Sequence, residues 1–268
     1  MRGNGGAIFV GSYASLTMRG SEIKHITAGG SGGAIGVGYY TNTQISDTVI
    51  EDVQAGSRGG AIYTEGPVEL NNVAIKDSKA ANGGAYYLYS NDQASIRMNG
   101  GSIVNSEANY GGAVYANKAP VELNGVTVDN ASAVNNGGAA FITAASGDTP
   151  LLTLNNSSIT NSSAGRYGGA IAVENFDNDV ELLKVIRIPS ESNVTFANNL
   201  ADGLYKPLAE HWAQHEEVIE GTYTTSSDKS IYLYNNYDIS YNYEKAVDLT
   251  TECLPAGSGV ITGVPGTV

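Results

Sequence analysis

Residues 59–82 read Gly59-Gly60-Ala61-Ile62-Tyr63-Thr64-Glu65-Gly66-Pro67-Val68-Glu69-Leu70-Asn71-Asn72-Val73-Ala74-Ile75-Lys76-Asp77-Ser78-Lys79-Ala80-Ala81-Asn82, and at Gly83-Gly84-Ala85 the same word begins again. Gly-Gly-Ala also stands at Gly5-Gly6-Ala7, Gly32-Gly33-Ala34, Gly111-Gly112-Ala113, Gly137-Gly138-Ala139 and Gly168-Gly169-Ala170, at intervals of 27, 27, 24, 28, 26 and 31 residues. A short word recurring at that distance marks a solenoid, in which each repeat is one structural unit stacked on its neighbours.

Within the quoted repeat three apolar stretches alternate with period two, and turn residues separate them. The first follows the word (Ile62-Tyr63-Thr64), the second is Val68-Glu69-Leu70, and the third is built around Ile75. The other repeats align on the same plan, with third-strand centres at Ile23, Ile50, Ile103, Val128, Ile159 and Phe196. Helical periodicity is absent from the repeats. Strands of successive repeats then pair in parallel about 4.8 Å apart. The expected fold is all-β: a right-handed, single-stranded parallel β-helix of about seven turns, the hand following the rule for parallel crossovers.

Two residues beyond each third-strand centre stands His25, Asp52, Asp77, Asn105, Asn130, Asn161 or Asn198, and three residues later an alanine. Side chains stacked in register can bond the turn above and below, so this column reads as a structural ladder. Outward columns pair by charge: Lys24, Glu51 and Lys76 alternate in sign, as do Glu69, Arg97 and Glu122.

The formal charge of −13 argues against nucleic acid as a partner, because phosphate contacts need clustered Lys and Arg. No apolar run approaches the ~20 residues that span a membrane, so no membrane insertion of this segment is expected. The single cysteine, Cys253, excludes an internal disulfide framework. Arg2-Gly3-Asn4 before the first word reads as the end of a truncated repeat, which suggests further domains of the same longer chain. The repeats are assigned to 1–201. Residues 202–245 are expected to form a C-terminal cap, with a short helix from Pro207 to Glu220 that Gly221 stops and closing strands after it. The Gly-, Thr- and Pro-containing stretch 246–268 reads as a linker or tail.

The Gly-Gly-Ala-Ile word with an Asn-bearing strand resembles the pectin-lyase-like β-helical passengers of polymorphic outer-membrane proteins and of cell-wall-anchored adhesin-like proteins. Those families also carry Phe-x-x-Asn, which occurs here at Phe196 to Asn199, and Asn235-Asn236-Tyr237-Asp238-Ile239 is similar to the closing segment of such domains. The resemblance covers roughly residues 3–245. It implies a secreted, extracellular protein displayed on a bacterial cell surface, often cell-wall-anchored and acting in adhesion.

Candidate sites follow from the columns. If Ile8, Ile35, Ile62, Tyr86, Val114, Ala140 and Ile171 point inward, then Phe9, Tyr63, Tyr87, Tyr115 and Phe141 form an outward aromatic strip, with Gly36 and Ala172 in the same column. Such a strip would suit a glycan or host-protein ligand. The reversed parity would make it an internal stack. Asp52 and Asp77 on successive turns could serve glycoside cleavage, as carboxylate pairs do, but both occupy the ladder column, and no catalytic residue is assigned. His211 and His215 are four apart, yet Trp212 stands where a metalloprotease word requires Glu, so no metal site is assigned. No cofactor is expected, weak calcium binding by the acidic connectors carrying Asp92, Asp148, Asp177 and Asp179 staying open. Three functions remain: a non-catalytic adhesin or stalk domain that binds carbohydrate or protein, a polysaccharide-active hydrolase or lyase on the same fold, and a passive spacer.

Overall fold

The computed structural model describes residues 5–90, 92–144, 151–175, 185–202, 221–226 and 236–242. They wind as an all-β parallel solenoid of about seven turns, with no helix among the described residues. The helix expected over 207–220 and the tail at 246–268 lie outside them.

The strand after each Gly-Gly-Ala joins one eight-stranded parallel sheet, from Ile8–Val10 through Ile62–Thr64 and Tyr86–Leu88 to Ile171–Asn175 and Ile239–Asn242. Its register is that of the repeats: Ile8 pairs with Ile35, Ile35 with Ile62, Ile62 with Tyr86, Tyr86 with Val114, Val114 with Ala140, and Ala140 with Ile171. The second and third strands of every turn make a second, sixteen-stranded parallel sheet. In two turns they run on without a break, as Pro67–Lys79 and Ser95–Ala108. Between the sheets lies one apolar core, where Ile62, Tyr86, Leu70, Met98, Ile50, Ile75 and Ile103 are fully enclosed.

Left-handed residues recur at three corners of the solenoid. The first glycine of the word has φ between 62° and 69° at Gly32, Gly59, Gly83, Gly111, Gly137 and Gly168. The second glycine is needed for a different reason. A Cβ on Gly84 would run into the carbonyl oxygen of Gly112 on the next turn, and the same approach recurs from Gly60 to Gly84 and from Gly112 to Gly138. The alanine that follows is buried against the core at every turn from Ala34 to Ala170. A second left-handed corner joins the second and third strands at Gly20, Asp47, Asn72, Gly100, Gly125 and Asn156. The third is the ladder column itself, with φ between 51° and 57° at His25, Asp52, Asp77, Asn105, Asn130, Asn161 and Asn198. Asn, Asp and His are the side chains that enter this region most readily.

The last described strand shows what the word is for. Asn236 (φ 65°) takes the place of the first glycine, and Gly169 N donates to its carbonyl at 2.9 Å. Tyr237 then replaces the second glycine, on a turn against which no further described turn packs. Asp238 stands at the alanine position and is fully buried. Its carboxylate accepts from Asn199 Nδ2 at 3.0 Å and from Thr225 Oγ1. Asn199 Nδ2 also donates to the carbonyl of Ile159 at 3.1 Å. Phe196 to Asn199 and Asn236 to Ile239, two words distant in sequence, thus meet in one polar clasp.

Candidate functional site

On the eight-stranded sheet the residue between two core-facing ones points away from the core. Tyr63, Tyr87, Tyr115 and Phe141 occupy that place on four consecutive turns, Cα against Cα. Their rings form a continuous stack: Tyr63 to Tyr87 at 5.8 Å and 13°, Tyr87 to Tyr115 at 4.9 Å and 29°, Tyr115 to Phe141 at 5.1 Å and 61°. The stack therefore lies outside the core that holds Ile62, Tyr86 and Val114.

It is not bare, however. Tyr63, Tyr87 and Phe141 are only 5, 4 and 2 % exposed, and Tyr115 is half-buried. The flanks come from the connectors. The Arg58 guanidinium sits 5.0 Å over the Tyr87 ring, a cation–π contact, and Tyr110 tilts against Phe141 at 5.2 Å. Arg58, Asn82 and Tyr110 are bridged in register just ahead of the glycine corner, so a column of its own carries this flank. On the other side Tyr89 leans on Tyr63 at 6.5 Å. Phe9 stands apart: its Cα partner is Gly36, which has no ring, and Phe9 is 59 % exposed.

Tyr63, Tyr87 and Tyr115 cover one another's faces, and Phe141 meets Tyr115 edge-on. Tyr63 Oη donates to Glu65 at 2.7 Å, and Asn117 Nδ2 donates to Tyr87 Oη at 3.4 Å. Burial, then the bond to Glu65, pushes the Tyr63 phenol well above its usual pKa, and burial does the same to Tyr115. Both stay protonated at neutral pH, the Tyr63 proton engaged by Glu65. What the site leaves open to a ligand is the half-buried Tyr115 and the half-buried Arg58 guanidinium.

The ladder column forms, with exceptions. His25 Nδ1 pairs with Asp52 Oδ2 at 2.7 Å, Asn105 Nδ2 donates to Asp77 Oδ1 at 2.8 Å, Asn130 Nδ2 to Asn105 Oδ1 at 2.8 Å, and Asn198 Nδ2 to Asn161 Oδ1 at 3.2 Å. Asn161 instead donates to Asp129 at 2.7 Å, and no bond joins Asp52 to Asp77 among the described residues. Both aspartates open on a shallow depression of about 420 Å³ that also includes Lys79 and Glu107. Among the described residues, no group of three or more His, Cys, Asp and Glu is arranged to hold a metal. The charge columns pair in part, as Lys24–Glu51 (3.3 Å) and Arg97–Glu122 (2.9 Å).

Three features went unread in the sequence. A second amide ladder runs Asn71, Asn99, Asn124 with bonds of 2.9 Å each, at the corner read there only as a turn. The clasp around Asp238 is another. The third is an exposed stack of Tyr13 and Tyr40, which stand at equal distances from their glycine words and would have emerged from aligning the connectors. No family model, curated protein or solved structure matches the chain.

Proposed function

We propose that this chain is a non-catalytic, surface-displayed adhesin or stalk domain that binds a host or cell-surface glycan or protein along its long face. The observation that carries the reading is the aromatic stack: four rings on four consecutive turns, beside the aliphatic core and not within it. A core needs no such column, and single aromatics scattered over a surface do not align by turn. The ladder aspartates fit the same reading, because their left-handed backbone already accounts for their residue type. In this reading the solenoid winds right-handed, a helix over 207–220 caps its end, and the protein is extracellular and anchored at a bacterial cell wall, with further domains of the same chain beyond it.

The test keeps the stack and removes its hydroxyls. Tyr63→Phe, Tyr87→Phe and Tyr115→Phe together are expected to hold the melting temperature within a few degrees while weakening binding on glycan and host-protein arrays. Unchanged binding would clear the strand face of any part in recognition. Incubation with polygalacturonate and rhamnogalacturonan is expected to release no reducing ends or unsaturated products. Release abolished by Asp52→Asn or Asp77→Asn would establish the polysaccharide-active enzyme instead, and a protein that binds nothing on either array would be a passive spacer.

A further inference from the structure

Tyr13 and Tyr40 occupy the same place in two successive connectors after the Gly-Gly-Ala strand. Both have a left-handed backbone, φ 63° and 52°. Aromatic residues enter that region at a cost, and such strain is concentrated at sites that use it. Their rings stack at 5.1 Å and 10°, yet the residues are 80 and 56 % exposed. Core packing therefore does not explain them. Nor does the bend, which is held by main-chain bonds: Gly38 N donates to Val10 O at 2.9 Å, Tyr13 N to Tyr39 O at 3.0 Å, and Ala14 N to Gly11 O at 3.0 Å. Asparagine or glycine would make the same turn with less strain.

The surroundings add to the pair. Of the six large apolar or aromatic residues exposed among the described ones, four are Phe9, Tyr13, Tyr39 and Tyr40, in the first two turns. Two residues after Tyr40, Asn42 begins the wall of a shallow groove of about 390 Å³ that crosses the turns past Pro67, Glu69, Arg97, Pro120 and Glu122.

We infer that Tyr13 and Tyr40 form a platform on which a sugar ring of a neutral, chain-like glycan stacks, the chain continuing along the groove. The apolar C–H face of a pyranose lies against the side of the highly exposed Tyr13 ring that Tyr40 does not cover, while the phenol hydroxyls and the Asn42 amide meet its hydroxyls. An aliphatic side chain of a protein partner would want an enclosing pocket rather than the outer face and edges of a stacked ring pair. Glu69 and Glu122 on either side of the single Arg97, in a chain of net charge −13, disfavour polyuronates. The inference rests on the reading of the chain as a binding domain, and it adds a contact at a corner distinct from the Tyr63–Phe141 stack.

The test uses affinity electrophoresis and binding isotherms with mannan, β-1,3-glucan and cellohexaose, and with polygalacturonate as the charged control. The wild-type protein is expected to bind at least one neutral probe and not polygalacturonate. Tyr13→Asn with Tyr40→Asn should weaken that binding about tenfold or more, with a melting temperature equal to or above that of the wild type, because asparagine accepts the left-handed turn. Tyr13→Phe with Tyr40→Phe keeps the rings and should retain most of the binding. Wild-type affinity in the asparagine variant, a fall in its melting temperature, or preference for polygalacturonate would each overturn the inference. If binding is lost only in the Tyr63, Tyr87, Tyr115 phenylalanine variant, the platform is wrong and the binding function stands; if no glycan or protein binds at all, both fail.

Discussion

Asn130 combines two roles that a single substitution cannot separate. Its φ of 52° needs a residue that tolerates the left-handed region, and its amide donates to Asn105 at 2.8 Å. Leucine keeps neither, so Asn130→Leu is expected to lower unfolding stability by about 1–3 kcal/mol. Glycine keeps the backbone and loses only the bond, so Asn130→Gly should cost about half as much or less. Chemical denaturation of the two variants separates the terms, and equal losses would mean that the amide ladder alone matters. The column was legible in the sequence because Asn, Asp and His recur at one distance from each third-strand centre. Its cause was not: stacked amides and left-handed corners select the same residue types, and only the dihedral angle tells them apart. The glycine pair hid a similar division, the first residue serving the dihedral and the second the close approach of the next turn.

Among the elements, the last described strand is held by side chains as well as by its sheet pairing. Ile239–Asn242 closes the eight-stranded sheet from 68 residues beyond Ile171, its Cα partner. The fully buried Asp238 ties it to the buried Asn199 and the half-buried Thr225. Asp238→Ala would leave those donors without their carboxylate, a loss of about 2–4 kcal/mol. Hydrogen exchange should then quicken at 239–242 and along Ile171–Asn175 while the turns around Ile75 and Ile103 keep their protection. Uniform quickening over all turns would show that the clasp acts on global stability and not on this strand. The strands of the repeats were readable from period-two alternation and the recurring word. The clasp was not, since nothing local in Phe196 to Asn199 or Asn236 to Ile239 says that they meet. The aromatic stack falls between these cases. Its outward parity follows from Ile62 and Val114 facing the core, whereas its burial is made by Arg58 and Tyr110, whose side chains fold back from a corner that alternation does not reach.

For the molecule as a whole, buried phenols couple stability to alkaline pH. Tyr86 is fully buried in the core, with its hydroxyl donating to Met98 Sδ at 3.4 Å, and burial raises its pKa as it does for Tyr63 and Tyr115. The folded chain keeps these protons at a pH where the unfolded chain, with phenols near 10, releases them. Their contribution is therefore complete below about pH 10 and is lost as pH rises beyond it. Phenolate absorbance should climb in two phases, exposed tyrosines first, the second phase coinciding with loss of the β-sheet circular dichroism. Tyr86→Phe should move that second phase to higher pH. A single titration near pH 10 with the dichroism unchanged would contradict the burial of these rings.

Because each turn touches only the turns beside it, the rod answers a pull along its axis one winding at a time. The hydrogen bonds between windings lie nearly parallel to that pull, and an end winding that lets go releases about 26 residues, roughly 85–90 Å of slack. The remaining windings keep their register, since Gly84 still rests on Gly112 whatever happens at the ends. Tension would thereby be converted into length in discrete steps, and the outermost described step would have to break the clasp at Asp238 as well as its main-chain bonds.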